Sequence, residues 1–260
     1  MRIATWNING IKARLEAAVT WLGESGVDVV CLQEIKSVDE GFPAERFGEL
    51  GYTVFTHGQK GFNGVAILSR LPCEIERRGL PGDETDEQAR YIEGVVTGAK
   101  GVIRVASIYL PNGNPIDTDK YVYKLAWMRR LEAHARSLLA HEEILALAGD
   151  YNVIPEPADA RDPDAWRDDA LFQPASRQAF RRLLALGLTD AVRSVDAAGG
   201  VYTFWDYQAG AWQKDNGIRI DHVLLSPQAA DRLMAVTVDR RTRSWEKPSD
   251  HVPVIVELDV

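Results

Sequence analysis

The chain is poor in cysteine, with two in 260 residues, Cys31 in an apolar run and Cys73 beside a proline. Two cysteines make no disulfide framework, so the expected compartment is a reducing cytosol. No apolar stretch approaches the roughly 18 residues that a membrane helix needs, and no membrane association is expected. Arg2 leads at once into Ile3-Ala4-Thr5-Trp6, with no long apolar region or small-residue cleavage pattern, so no signal peptide is expected either. There is no Gly/Ser linker and no internal repeat, and residues 1–260 are read as one domain. The absence of CxxC, of a nucleophile elbow, of a Walker loop and of a dinucleotide-type glycine fingerprint removes several chemistries at once. Positive charge is also short. The net charge of −8 argues against tight, indiscriminate binding to nucleic acid, although the distribution of charge matters more than its sum.

Hydrophobic residues at 45% and charged residues at 26% are ordinary for a globular chain long enough to bury a sizeable core. Short β-branched runs predict strands over 2–6, 27–33, 64–69, 91–97, 102–109, 144–148, 201–205, 218–225 and 252–258. Three- and four-residue apolar steps predict helices over 13–24, 43–50, 119–140 and 176–187. The third is the clearest, with Tyr123, Trp127, Leu131, Ala135 and Leu138 on one stripe, and His134 and His141 are expected on its outer face or just past its end. Many strands with fewer helices predict sheets packed on each other and covered by helices. Segments 79–89, 111–118 and 155–175 read as loops, the last long enough to carry function.

The informative residues stand at strand ends. Asn7 and Asn9 follow the first run, Glu34 follows Val29-Val30-Cys31-Leu32-Gln33, and Tyr109 closes its strand shortly before Asn112. Asp150 and Asn152 follow Ile144–Gly149, Asp221 lies in Ile218-Arg219-Ile220-Asp221-His222, and Asp250-His251 precede the last strand. If the early strands run one way and the last runs back, these groups meet at one sheet edge. Several carboxylates with Asn, His and Tyr and no thiolate suit a hard cation; Mg²⁺ is the first choice, with Mn²⁺ as a substitute. Zinc is disfavoured, because no histidine pair has ligand spacing. Such a set suits phosphoryl transfer to water. Taken singly, each residue has a plainer reading: Asn9-Gly10 as a turn, Asp150 as a loop cap, Trp205 as part of an alternating packed strand.

Six segments in order resemble those of the exonuclease III and AP-endonuclease family. They are Thr5-Trp6-Asn7-Ile8-Asn9-Gly10, Leu32-Gln33-Glu34-Ile35-Lys36, Tyr109-Leu110-Pro111-Asn112, Gly149-Asp150-Tyr151-Asn152-Val153, Arg219-Ile220-Asp221 and Ser249-Asp250-His251-Val252-Pro253. The resemblance spans almost the whole chain. It implies an α/β fold of the DNase I-like kind, a four-layer sandwich of two packed mixed β-sheets flanked by helices. It implies a Mg²⁺-dependent phosphodiesterase of base-excision repair that cuts double-stranded DNA 5′ to abasic sites and trims 3′ ends. The alternative is a phosphodiesterase for RNA, lipid or inositol phosphate on the same scaffold.

By that resemblance Glu34 is a metal ligand, with Asn9 and Asp250 near the metal and Asp150 and Asn152 contributing to its site. Asp150 orients or deprotonates the attacking water, Asp221 and His251 form a phosphate-contacting pair, and Asn7, Asn152 and Tyr109 are donors around it. The number of metal ions and the identity of the base stay open. Lys12 and Ala13 match a phosphate-gripping helix start. Asn112 is carried over as a DNA-binding residue, Arg161 as part of a loop reaching into DNA, and Trp205 as the aromatic region beside a pocket for the base-less sugar. Asp162 stands where members of the family often carry a neutral Asn, an acid expected to weaken the backbone grip of this loop. A bacterial-type, cytoplasmic monomer is expected.

Overall fold

A computed structural model describes all residues 1–260. One six-stranded sheet contains β1 (Arg2–Asn7), β2 (Val29–Gln33), β3 (Thr53–His57), β4 (Val65–Ser69), β11 (Leu233–Val238) and β12 (Val254–Leu258), in the order β11-β12-β1-β2-β4-β3. The other contains β5 (Cys73–Arg78), β6 (Tyr91–Thr97), β7 (Val102–Tyr109), β8 (Leu145–Asp150), β9 (Thr189–Asp190) and β10 (Asp221–Leu225), in the order β5-β6-β7-β8-β10-β9. Both sheets are mixed: β1 runs parallel to β2 and β7 to β8, whereas β12 and β10 run back against β1 and β8. The helices are α1 (Leu15–Ser25), α2 (Ala44–Gly48), α3 (Asp119–Leu139), α4 (Pro174–Ala185), α5 (Ala191–Val195) and α6 (Pro227–Ala230).

Strand alternation sorts the side chains into layers. Ile3, Val29, Cys31, Val65 and Ile67 of the first sheet meet Ile92, Val105, Ala146 and Val223 of the second in a buried core between the sheets. The alternate residues Ala4, Val30, Leu32 and Leu68 face outward against Ala18, Trp21 and Leu22 of α1. On the far side, Ala106, Ile108 and Leu147 are covered by Trp127, Met128 and Leu131 of α3 and by Phe180 and Leu183 of α4. Each of the larger side chains contributes roughly 1.5–3 kcal/mol through burial. The order is helix, sheet, sheet, helix, the expected four layers.

One polar chain crosses the sheet interface beneath the carboxyl ends of the strands. Thr5 Oγ1 donates to Gln33 Oε1 (3.2 Å), Gln33 Nε2 donates to Ser107 Oγ (3.0 Å), and Ser107 Oγ donates to the Leu32 carbonyl (3.0 Å). All three side chains are fully buried, so their bonding fixes how β1, β2 and β7 stand relative to each other. Asn7, Glu34 and Tyr109 each follow one of these anchored positions.

The structure corrects several sequence expectations. Residues 201–205 form no strand: Phe204 makes only isolated bridges to Ile218 and His251. The strand expected from 218 begins at Asp221, and the helix expected from 13 opens as a 3-10 turn, Ile11–Arg14, with α1 starting at Leu15. Strands β3, β5, β9 and β11 lie outside the ranges expected from the sequence. His134 does not face outward. Its Nε2 lies 2.7 Å from Glu93 Oε2, and Glu93 also accepts from Tyr91 and Arg104.

Burial pushes the Glu93 carboxyl up, but His134, Tyr91 and Arg104 outweigh it and hold it down to about 2, from an ordinary 4.5. A carboxylate depressed in the folded state contributes stability above its unfolded pKa, lost as pH falls through the folded one. For Glu93 that contribution is about 3 kcal/mol, present above pH ~4.5 and lost toward pH ~2. Glu93→Gln is expected to flatten the acid limb of a urea-unfolding series over this window. An unchanged pH dependence would show that the cluster does not carry the acid sensitivity.

Candidate active site

The antiparallel return of β10 and β12 brings the polar strand ends together. Asn7 ends β1 opposite Gln33, Tyr109 ends β7 opposite Asp150, and Asp221 starts β10 opposite Asp150 in the ladder. The Tyr109–Asp150 pairing depends on a close approach one residue earlier. A Cβ on Gly149 would stand 2.0 Å from the Ile108 carbonyl oxygen, so only glycine lets β8 lie against β7 there.

Four non-glycine residues at this edge have left-handed backbone: Asn9 (φ 47°), Glu34 (φ 50°), Lys36 (φ 52°) and Asn152 (φ 46°). Asparagine tolerates this region, whereas glutamate and lysine meet a cost of roughly 1–2 kcal/mol each. The bend at Glu34 is held by the N–H of Gly10 (φ 99°), which donates to the Glu34 carbonyl (2.7 Å), and by the N–H of Ile35, which donates to the Gly64 carbonyl (3.1 Å). Side chains thereby turn out of the strands toward one another.

Two groups result, bridged by Asn7. Its Nδ2 donates to Glu34 Oε1 and to Asp150 Oδ2, both at 2.9 Å. On the Glu34 side, Lys36 Nζ lies 2.9 Å from Glu34 Oε2 and donates to Asn9 Oδ1, while Asn9 Nδ2 donates to Asp250 Oδ1 (3.0 Å). On the Asp150 side, His251 Nδ1 lies 2.9 Å from Asp221 Oδ2 and its Nε2 lies 3.8 Å from Asp150 Oδ2. The N–H of Asn152 donates to Asp150 Oδ1 (2.9 Å), and Asn112 Nδ2 donates to Asn152 Oδ1 (3.2 Å). Tyr109 stands between the two groups, with the Arg90 guanidinium over its ring at 4.7 Å.

Burial pushes the Asp150 carboxyl up, and nearby Asp221 adds to this, against His251 and the donors Asn152 and Asn7. Burial opposes a charged His251, yet Asp221 and Asp150 outweigh it and push its pKa up, so the ring holds its second proton at neutrality. Burial likewise works against the Glu34 anion, but the Asn7 amide and Lys36 outweigh it and hold the carboxyl below its ordinary range. The phenol of Tyr109 is pushed far up by burial and by Glu34 and Asp150, so it stays neutral and able to donate.

The donor set fits a hard divalent cation. Nearly all available atoms are carboxylate or amide oxygens. Asp221 Oδ1 is buried without any hydrogen-bond partner, and ligand atoms of Asp150, Asp221 and His251 lie within 4.8 Å of one another. On the other side, the Lys36 ammonium bridges oxygens of Glu34 and Asn9, the place a cation takes between two such donors.

The DNA-facing expectations fare unevenly. Lys12 and Ala13 are exposed on the 3-10 turn after Gly10, Arg161 is exposed in the loop after β8, and Asn112 borders the Asp150 group. Trp205 does not line a pocket. It is fully buried against Tyr202, Ala211 and Val252, with its Nε1 donating to Asp215 (3.1 Å). Phe204, one residue earlier, is half-buried and takes the side toward His251. Its ring lies 5.0 Å from that of His251 and packs on Ile218 and Ile220.

Two residues that sequence reasoning passed over also matter. Arg219, fully buried, donates to Asp159 and Asp190 (2.7 Å each) and so ties the loop after β8 to the start of β10. Lys124 of α3 is fully buried and donates to the carbonyls of Asn112 (2.9 Å) and Asn152 (2.5 Å); burial pushes its ammonium down to about 7 despite Asp150 and Asp169. The available signal was position: Lys124 is three residues before Trp127 and four before Met128, on the buried stripe of its helix.

A profile of the Endonuclease/Exonuclease/phosphatase family matches residues 4–251. Exodeoxyribonuclease III of Haemophilus influenzae is 34% identical over 266 residues, covering 99% of this chain and all of that protein. An AP endonuclease structure from Archaeoglobus fulgidus superposes with a TM-score of 0.94 at 37% identity over the full length of both chains. The Neisseria protein NExo, a 3′ phosphatase seen bound to a product DNA hairpin, superposes at 0.95 with 39% identity, again over both full lengths. With the match running from the first strand to the histidine at the site, the chain belongs to the Endonuclease/Exonuclease/phosphatase family.

Proposed function

We propose that the chain is a Mg²⁺-dependent DNA phosphodiesterase of base-excision repair that incises 5′ to abasic sites and trims 3′ ends. The observation that carries this reading is the convergence of Glu34, Asp150, Asp221 and His251 at one end of the packed sheets, joined through the Asn7 amide. Full-length likeness to proteins named for DNA ends and AP sites supports the choice of substrate.

Glu34, with Asn9 and Asp250 beside it and with the oxygens of Asp150 and Asn152, would hold the cation. When bound, it supplies positive charge that offsets charge developing on the phosphate. Asp150, held by donors on both oxygens, orients the attacking water and accepts its proton. The imidazolium of His251, anchored by Asp221, faces the phosphate and donates toward it, with the Asn7, Asn152 and Tyr109 donors around it. Phe204, with Ile218 and Ile220, offers an apolar wall beside His251 that suits a sugar lacking its base. Lys12, Ala13, Asn112 and Arg161 offer backbone contacts on either side, which supports DNA binding despite the net charge of −8.

Glu34→Gln is expected to raise the Mg²⁺ concentration for half-maximal rate by at least ~10-fold with little loss at saturation; a wild-type titration curve would remove Glu34 from the metal site. Substrate choice is tested by comparing an abasic duplex, a 3′-recessed duplex and bis-(p-nitrophenyl) phosphate. The two DNAs should be turned over far faster. Comparable turnover of the small diester would move the substrate to another phosphodiester class.

A further inference from the structure

We propose that Lys124 is a positioning residue of the active site, whose buried ammonium clamps the carbonyls of Asn112 and Asn152 and thereby sets the amide pair beside Asp150. The two carbonyls belong to different loops, one after β7 and one after β8. Farther from the site the same loops are tied through Asn114, whose Nδ2 donates to Asp169 Oδ1 (3.0 Å) and whose Oδ1 accepts from the Ala170 N–H (2.9 Å), but the lysine is the tie at the two asparagines next to Asp150. Their side chains meet directly, Asn112 Nδ2 donating to Asn152 Oδ1, and Asn152 in turn donates from its N–H and its Nδ2 to Asp150. Through this side chain α3 thus reaches Asp150 by two hydrogen bonds in series, Lys124 to the Asn152 carbonyl and the Asn152 N–H to Asp150.

Three features show that the lysine is fitted to this task. An ammonium buried on an apolar helix face is costly unless it is fully bonded, and a Met or Leu would fill the same stripe without that cost. The left-handed backbone of Asn152 (φ 46°) lets its carbonyl point back to Lys124 while its N–H and side chain point to Asp150 and the Leu110 carbonyl. The stem is packed as closely as the head. A Cβ on Gly113 (φ 91°) would stand 2.5 Å from Lys124 Cδ, so the loop after β7 is shaped around this side chain.

The inference rests on the nuclease reading above only for its kinetic arm. Lys124→Met keeps the stem and removes the donors; Lys124→Gln keeps one donating group and guards against a variant that fails to fold. In Lys124→Met the catalytic rate constant on an abasic duplex should fall roughly 10- to 100-fold, as misplacement of catalytic groups by about 1 Å does. Lys124→Gln should recover part of the loss. Combining Lys124→Met with Asn112→Ala should cost less than the product of the two single losses, because the lysine acts through that amide. In parallel, the side-chain amide NMR signals of Asn112 and Asn152 should shift in Lys124→Met. These signals report loop geometry whatever the substrate, so a wild-type protein that cuts no DNA would count against the nuclease reading alone. Unshifted amide signals, or rate losses that multiply independently in the double variant, would overturn the proposal.

Discussion

Asp150→Asn is expected to lower turnover on abasic DNA by ~10²–10³-fold while leaving the melting temperature unchanged or higher. Asp150 accepts from Asn7 Nδ2 on one oxygen and from the Asn152 N–H on the other. An amide in its place has one oxygen and one NH₂, so one of these donors must face another donor and the water-facing geometry is lost. Stability moves the other way. Asp150 is buried beside Asp221, and burial already pushes its carboxyl toward the neutral form. Removing the charge relieves that strain, as replacing a poorly solvated ion often does. Thermal melts and single-turnover rates measured on one preparation check both halves. A fall in stability matching the fall in rate would mean that Asp150 is chiefly structural.

His251→Asn should cost turnover to a similar degree, ~10²–10³-fold, but with the opposite effect on stability. The imidazolium stands between two carboxylates, 2.9 Å from Asp221 and 3.8 Å from Asp150. Without it two buried acids face each other with no cation between them, and removing one partner of a buried charge set is destabilising by roughly 3–5 kcal/mol. The loss should shrink as pH is lowered, because either carboxyl can then take a proton, and it should shrink again when Mg²⁺ is added. A variant as stable as wild type at pH 8 without metal would contradict the assigned charge arrangement.

The contrast between these two variants rests on positions that were legible in the sequence for a simple reason. Asn7, Glu34, Tyr109 and Asp150 sit where an apolar run stops and Asp221 and His251 where one starts, and a polar residue at the end of a buried strand has a predictable direction. The strands carrying them are central and apolar on both faces, as in Val29–Gln33 and Leu145–Asp150, so their boundaries are sharp. The edge strands are harder to read because one or both of their faces meet water. Cys73–Arg78 reads CEIERR and presents no apolar run, whereas Leu233–Val238 reads LMAVTV, an apolar run that the sequence did offer although Met234 is two-thirds exposed.

The errors at the site have the same origin. Phe204 and Trp205 are adjacent aromatics, and sequence alone could not say which of them faced His251 once the segment proved to have no ladder to fix its alternation. Lys36 and Lys124 look like surface lysines in a chain of 30 basic residues. What makes them part of the site is tertiary: a left-handed turn that folds Lys36 back on Glu34, and a helix face that presses Lys124 between two loops. Neither arrangement leaves a periodic trace.

The central claim is tested most directly by one 5′-labelled duplex carrying a single abasic site, incubated with the protein in Mg²⁺ and, separately, in EDTA. Incision immediately 5′ to the lesion in Mg²⁺, with none in EDTA, is the predicted result. An intact strand in both, from protein shown to be folded, or incision that proceeds unchanged in EDTA, would contradict it.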